Sequence, residues 1–227
     1  MKKMISRRDF LKVAGFSAAA LGLTACGGSG SSTAASTGST AASTGSAAAS
    51  GPSVTLKLGF STNEEDPRAK GAQQFKEEVE EKTGGAVTVE LYPSGQLGGD
   101  ADLINSIALD SGTVDIIVTD ASNFATYDAK MGISALPFQF ETFDDAWAFM
   151  DSDIEAAAEE GLLAQNMRVL AHYCNGFRCV TNSKGPINSP DDMKGLLIRT
   201  PENPVIMATM TALGANPQPL SFSELYQ

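Results

Sequence analysis

The chain has 227 residues, 42% of them apolar, and a formal net charge of −11. That is enough apolar material to pack one to two small domains, and an acidic chain with no basic stripe excludes nucleic-acid binding. The charge is uneven: residues 1–26 carry five basic side chains and one acidic, so the other 11 basic and 26 acidic side chains leave the body at −15.

The first 53 residues read as an address, not a fold. Lys2 and Lys3 lead into Ser6-Arg7-Arg8-Asp9-Phe10-Leu11-Lys12, and residues 13–25 form an apolar run. The run is shorter than the roughly 20 apolar residues of a membrane span and suits a signal-peptide core. The S-R-R-x-F-L-K pattern resembles a twin-arginine export signal. Leu23-Thr24-Ala25-Cys26 resembles a lipobox, which makes Cys26 a lipidated mature N-terminus; the alternative is a small-residue cleavage site beside an incidental cysteine. Residues 27–53 contain only Gly, Ser, Thr, Ala and one Pro. Such a segment cannot offset its chain entropy by burial and forms a tether with a reach of roughly 30 Å. The expected location is outside the cytoplasm, lipid-anchored on the outer face of the cytoplasmic membrane or in the periplasm.

From residue 54 the pattern turns globular. Residues 54–60 alternate like a half-buried strand and end in a polar loop over 61–66. Asp66-Pro67 opens a helix with Ala72, Phe75 and Val79 on one face. Glu77, Glu78, Glu80 and Glu81 form the solvated face, and Gly84-Gly85 ends it. Residues 87–92 give a second strand and 101–111 a helix burying Leu103, Ile104, Ile107 and Ala108. Residues 114–118 have the length of a buried parallel strand. Helices are expected over 143–150, capped by Thr142, and over 153–165, and strands over 169–173 and 177–181. Ser189-Pro190-Asp191-Asp192 is a capped helical turn, 196–199 a strand and 203–213 a helix with Val205, Ile206, Met210 and Leu213 inward. Ser221-Phe222-Ser223-Glu224 has the form of a capping box, so a helix is expected to begin there and the sequence to continue past residue 227. Alternating strands and helices predict an α/β fold with mostly parallel sheets.

Cys174 and Cys179 are five apart; fully extended they would be roughly 16 Å from each other, past the ~7 Å limit for a bridge, although a turn at Asn175-Gly176 would shorten this. Two small buried thiols are expected. With one histidine, His172, in an apolar strand and no CxxC, no zinc site is expected, nor any cofactor. No Ser-His-Asp set or phosphate loop is present, and nothing pairs Glu65 with Asp120, so an enzyme is not expected.

Several runs together carry a resemblance: Gly195-Leu196-Leu197-Ile198-Arg199-Thr200-Pro201-Glu202-Asn203-Pro204, then Ala212-Leu213-Gly214-Ala215-Asn216-Pro217 and Phe222-Ser223-Glu224-Leu225-Tyr226. Upstream lie Lys82-Thr83-Gly84-Gly85, Tyr92-Pro93, Gln96-Leu97-Gly98, Leu136-Pro137-Phe138 and Asn175-Gly176-Phe177-Arg178. In order and spacing the body resembles the DctP-type solute receptors of tripartite ATP-independent periplasmic (TRAP) transporters. The resemblance implies a two-lobed periplasmic-binding-protein-like (type II) clamp, here with lobe I over 54–176 and the start of an incomplete lobe II over 177–227. It also implies capture of a small organic acid for TRAP-type permease subunits, by a chain expected to be a monomer.

Arg199 matches the family arginine that grips the ligand carboxylate. A guanidinium offers parallel donors to both oxygens and stays charged, and residue 199 lies at the carboxyl end of a strand, where α/β sheets bind ligands. A structural salt bridge is the alternative. Arg178 matches a second family arginine near the ligand, and Phe222 an aromatic that packs on ligand, or else in the core. Asn63, Glu65, Asp120 and Ser122 are selectivity candidates on loops after strands. Arg68 and Arg168 read as surface residues. Two other functions stay open: a receptor presenting ligand to a membrane sensor kinase or chemoreceptor, and a surface lipoprotein that binds nothing.

Overall fold

The structure, a computed structural model, describes residues 53–225. The export signal, Cys26 and the tether up to residue 52 lie outside them. Three parallel strands make the first sheet. β1 (Val54–Gly59) runs up the middle, between β2 (Val87–Tyr92) and β3 (Ile116–Ile117). Burial deepens along β1 toward its carboxyl end, where Leu58 and Phe60 meet Val89 beneath Phe75 and Val79 of α1 (Pro67–Lys82). The expected inward face of α1 is therefore the observed one. Asp66 caps the helix by accepting from the Arg68 N–H, and Pro67 takes its first turn. Glu77, Glu78 and Glu81 are exposed, as expected. Glu80 is not: its Oε1 accepts from Lys76 Nζ at 2.8 Å and from the Val89 N–H at 3.0 Å, which ties α1 to β2.

α2 (Asp100–Ala108) buries Leu103 and Ile104. At Gly59 a Cβ would come within 3.1 Å of Leu103 Cδ2, so the glycine closing β1 lets α2 approach the sheet. Of residues 114–118, Ile116 and Ile117 pair with β1. Two 3-10 segments, Ala121–Thr126 and Ala129–Ala135, then lead to α3 (Phe143–Met150) and α4 (Asp153–Leu162), which ends in a 3-10 turn, Leu163–Gln165. Thr142 and Asp145 form a reciprocal capping box on α3. Ala158 and Leu162 of α4 join Ile104, Met131 and Met167 in a second core.

The strands expected over 169–173 and 177–181 are not formed; neither segment joins either sheet. An alternating pattern becomes a strand only where a neighbour supplies a ladder. Phe177 packs instead on Phe143, ring centroids 4.9 Å apart. Cys174 and Cys179 are free and exposed, neither bridged nor buried, because this stretch lies on the surface.

β4 (Leu197–Thr200), α5 (Pro204–Ala212) and β5 (Asn216–Pro219) form a parallel βαβ unit with its own core of Met193, Met210 and Ala215. The sequence reading misses β5, since Asn-Pro-Gln-Pro looks like a loop; in a two-stranded sheet each strand has an open edge that tolerates proline. α5 packs closely on residues 129–135, where a Cβ at Gly132 would lie 2.7 Å from Val205 Cγ2. Beyond β5, one 3-10 turn (Phe222–Glu224) stands where a capped helix is expected, and Ser221 Oγ donates to Glu224 Oε2 at 2.8 Å without capping a backbone N–H. Among the described residues, no helix is long and apolar enough to cross a membrane.

Candidate functional site

Parallel strands send their carboxyl ends, and the loops that follow, to one edge of a sheet. After β1 come Ser61 and Asn63, after β2 the loop to Asp100, and after β3 Asp120 and Ser122. Charged groups gather there. Asp100 is pushed above the usual carboxylate range, chiefly by burial; hydrogen bonds from Ser61 and Thr119 and the charge of Arg68 oppose this, and Asp120 adds to it. Ser61 Oγ donates to Asp100 Oδ1 at 3.0 Å.

Arg68 is no surface residue. Its Nε and Nη2 donate to the two oxygens of Asp66 at 2.9 and 3.1 Å, and its side chain is only 18% exposed. Tyr173 lies against α1, its hydroxyl 3.3 Å from the Arg68 carbonyl and its ring over Gly71, where a Cβ would meet it at 3.1 Å. Burial pushes the Tyr173 phenol up to about 12, with the Arg68 charge pulling the other way.

The Arg68 hydrogen bond holds Asp66 below the ordinary aspartate value of 3.8, with burial opposing. A depressed carboxyl contributes stability that is present above its unfolded value and is lost as pH falls through the folded one. We expect Asp66→Asn to remove part of the acid limb of the melting-temperature profile below pH 4, on the order of 1 kcal/mol for a partly screened pair. A variant with an unchanged acid limb would show that the pair does not contribute.

Arg199 projects from β4. Its Nε and Nη2 both donate to the Leu220 carbonyl, at 2.9 and 2.6 Å, which uses one edge of the guanidinium and leaves the other donors of the five. Its Cζ lies 6.0 Å from the Phe222 ring centroid, and Phe222 is 38% exposed, so it belongs to no core. Burial, then the like charge of Arg178, push the Arg199 guanidinium down from its ordinary value, and Asp100 partly offsets them. Among the described residues Arg199 forms no ion pair within 4 Å, whereas Arg178 Nη2 reaches Asp120 Oδ2 at 3.3 Å.

Asp120 is held in place: its Oδ1 accepts from the Ser122 N–H at 2.9 Å and from Ser122 Oγ at 2.6 Å. Ser122 is buried, and its hydroxyl also accepts from Asn203 Nδ2 at 2.8 Å. Asn203, fully buried, caps α5 through Oδ1. Asn63 is exposed and spends its Oδ1 on the Glu65 and Asp66 N–H groups; Glu65 is exposed beside it. The structure thus brings Arg199, Arg178, Asp120 and Phe222 together, sets Ser122 behind them and leaves Asn63 and Glu65 on an outer loop. The sequence reading missed Arg68, Asp100 and Asn203. The signals were the capping Asp two residues before Arg68 and, for Asn203, its own cap position before a Pro. A groove of about 920 Å³ lined by Phe60, Lys70, Gln74, Glu78, Leu91 and Pro93 lies along α1 and contains none of these groups.

Residues 58–227 match the DctP family, bacterial extracellular solute-binding protein, family 7. The chain is 33% identical over 172 residues to the 2,3-diketo-L-gulonate-binding periplasmic protein YiaO of Escherichia coli, covering 76% of this chain and 52% of that one. It is 32% identical over 183 residues to the C4-dicarboxylate-binding periplasmic protein DctP of Rhodobacter capsulatus, covering 77% and 52%. A TRAP periplasmic solute-binding protein from Polaromonas sp. JS666, solved bound to D-erythronate, superposes with a TM-score of 0.72 at 34% identity over 76% of this chain and 56% of that one. The sugar acid binding protein DctPAm of Advenella mimigardefordensis, in complex with galactonate, gives 0.72 at 30% over 77% and 56%. The chain spans about half the length of the curated relatives it matches.

Proposed function

Because this chain belongs to the DctP family of bacterial extracellular solute-binding proteins, we propose that it captures a small organic acid outside the cytoplasm and hands it to a TRAP-type membrane permease, without catalysis. The observation that carries this reading is Arg199: a partly buried guanidinium, anchored along one edge by a carbonyl, with no carboxylate partner among the described residues of an acidic protein. A cation so placed is stabilised by a ligand carboxylate that takes the other edge of the fork. Phe222 gives it an apolar wall. Arg178, braced by Asp120 and through it by Ser122, answers a second negative group, and Asn63 and Glu65 act on the ligand's hydroxyls from the outer loop.

Solved relatives hold D-erythronate, galactonate and succinate, and the same chemistry, a short carboxylate with hydroxyls or a second carboxylate, suits two arginines and an aromatic ring. The two sheets are the centres of two lobes, 54–176 and the start of the second over 177–227. The twin-arginine signal, lipidated Cys26 and tether hold the receptor at the outer face of the membrane. The test is a thermal-shift screen of the full-length protein against a panel of sugar acids, keto acids and dicarboxylates. A ligand at 100 times its Kd adds about 2.7 kcal/mol of stability, several degrees in melting temperature for a protein of this size. If no acid in the panel raises the melting temperature, the reading fails.

A further inference from the structure

Away from the arginines, α4 carries Glu155 and Glu159, four residues apart and so on one helix face. His172 comes from the segment after the helix, and its Nε2 lies 2.6 Å from Glu159 Oε1. One oxygen of each carboxylate and a ring nitrogen of His172 all lie within 4.8 Å of one another. Glu155 is 0% exposed, and neither of its oxygens meets a hydrogen-bond donor among the described residues. A buried carboxylate without a partner costs several kcal/mol. Glu155 shares the buried face of α4 with Ala158 and Leu162 of an apolar core, where an apolar side chain would be the ordinary choice.

We infer that Glu155, Glu159 and His172 form a binding site for one divalent cation of the zinc type. One imidazole and two carboxylates are a donor set that suits zinc, at about 2.0–2.2 Å from each atom. Three such atoms around one ion stand roughly 3.3 Å apart in tetrahedral geometry, so small rotamer changes convert the present cluster into a site. The ion takes the place of the proton between His172 and Glu159, which is released, and it gives the unpartnered Glu155 the positive charge it lacks. The His172 and Glu159 side chains are 20% and 10% exposed, so the cluster opens to solvent on their side, where a water completes the coordination. The ion would pin residues 167–173, which join neither sheet, onto α4. The sequence holds neither a second histidine nor a CxxC, and its one signal for this site is the carboxylate pair one helical turn apart.

The test uses the full-length protein with Cys26, Cys174 and Cys179 changed to serine, so that these thiols do not compete. After chelator treatment, equilibrium dialysis against Zn²⁺ should give one bound ion per chain, and Co²⁺ in its place should give the visible spectrum of nitrogen and oxygen ligation. Glu155→Gln and His172→Gln should each weaken Zn²⁺ binding at least tenfold. Glu155→Gln should melt no lower than the parent without metal, which shows that its loss of binding is not a loss of fold. Failure of the parent to bind one equivalent, or equal binding by the Glu155→Gln/His172→Gln double variant, overturns the inference.

Discussion

If the chain captures an organic acid as proposed, Arg199→Ala in the full-length protein is expected to weaken that binding by about 30-fold to a few thousand-fold. Removing one partner of a buried, hydrogen-bonded charge pair costs about 2–5 kcal/mol, and each 1.4 kcal/mol is tenfold in Kd. Arg199 also donates twice to the Leu220 carbonyl, so part of the loss could come from a loosened β4–β5 pair. Two measurements separate these causes. The Leu220 N–H already bonds the Thr200 carbonyl at 3.0 Å, so the ligand-free melting temperature should fall only slightly. Calorimetric titration with the acid and with its neutral amide should show the parent strongly preferring the acid and Arg199→Ala binding the two almost alike. Arg199→Lys should fall between them, because an ammonium keeps the charge but not the planar fork. An alanine variant that keeps the parent's preference for the acid places carboxylate recognition elsewhere.

Local pattern made most of the first sheet and its helices legible. Ala72, Phe75 and Val79 recur at helical spacing, Leu103, Ile104, Ile107 and Ala108 likewise, and Asp66-Pro67, Thr142 and Asn203 mark helix starts that the structure keeps. The failures have a common cause, because pairing and burial are properties of neighbours. Residues 177–181 alternate as a strand should but sit against no ladder, whereas 216–219 pair despite two prolines because β4 lies alongside. The same holds at the site. Arg199 and Arg178 could be chosen from residue chemistry and family resemblance, but Asp100, which influences Arg199 from 99 positions away in sequence, has no local mark. Nothing local marks Glu155 as buried either.

Asn203, legible as a helix start but not as a tie between elements, supports the second large expected effect. Its Oδ1 accepts from the Val205 and Ile206 N–H groups at 3.0 and 3.1 Å, and its Nδ2 donates to Ser122 Oγ, behind which stand Asp120 and then Arg178. One fully buried side chain thus caps α5 and ties it to the loop after β3. Asn203→Ala should cost about 1–2 kcal/mol for the lost cap and about 1 kcal/mol for the lost buried hydrogen bond, lowering the melting temperature by about 4–12 °C. Asn203→Asp separates the two contributions. Aspartate caps a helix as well as asparagine does, but it has no N–H to give Ser122 and brings a second negative charge toward Asp120. If the tie to Ser122 matters, the aspartate variant should be at least as destabilised as the alanine one, and ligands that engage Arg178 should bind it more weakly. A fully stable Asn203→Asp protein would reduce Asn203 to a helix cap and leave Arg178 to be positioned by Asp120 and Ser122 alone.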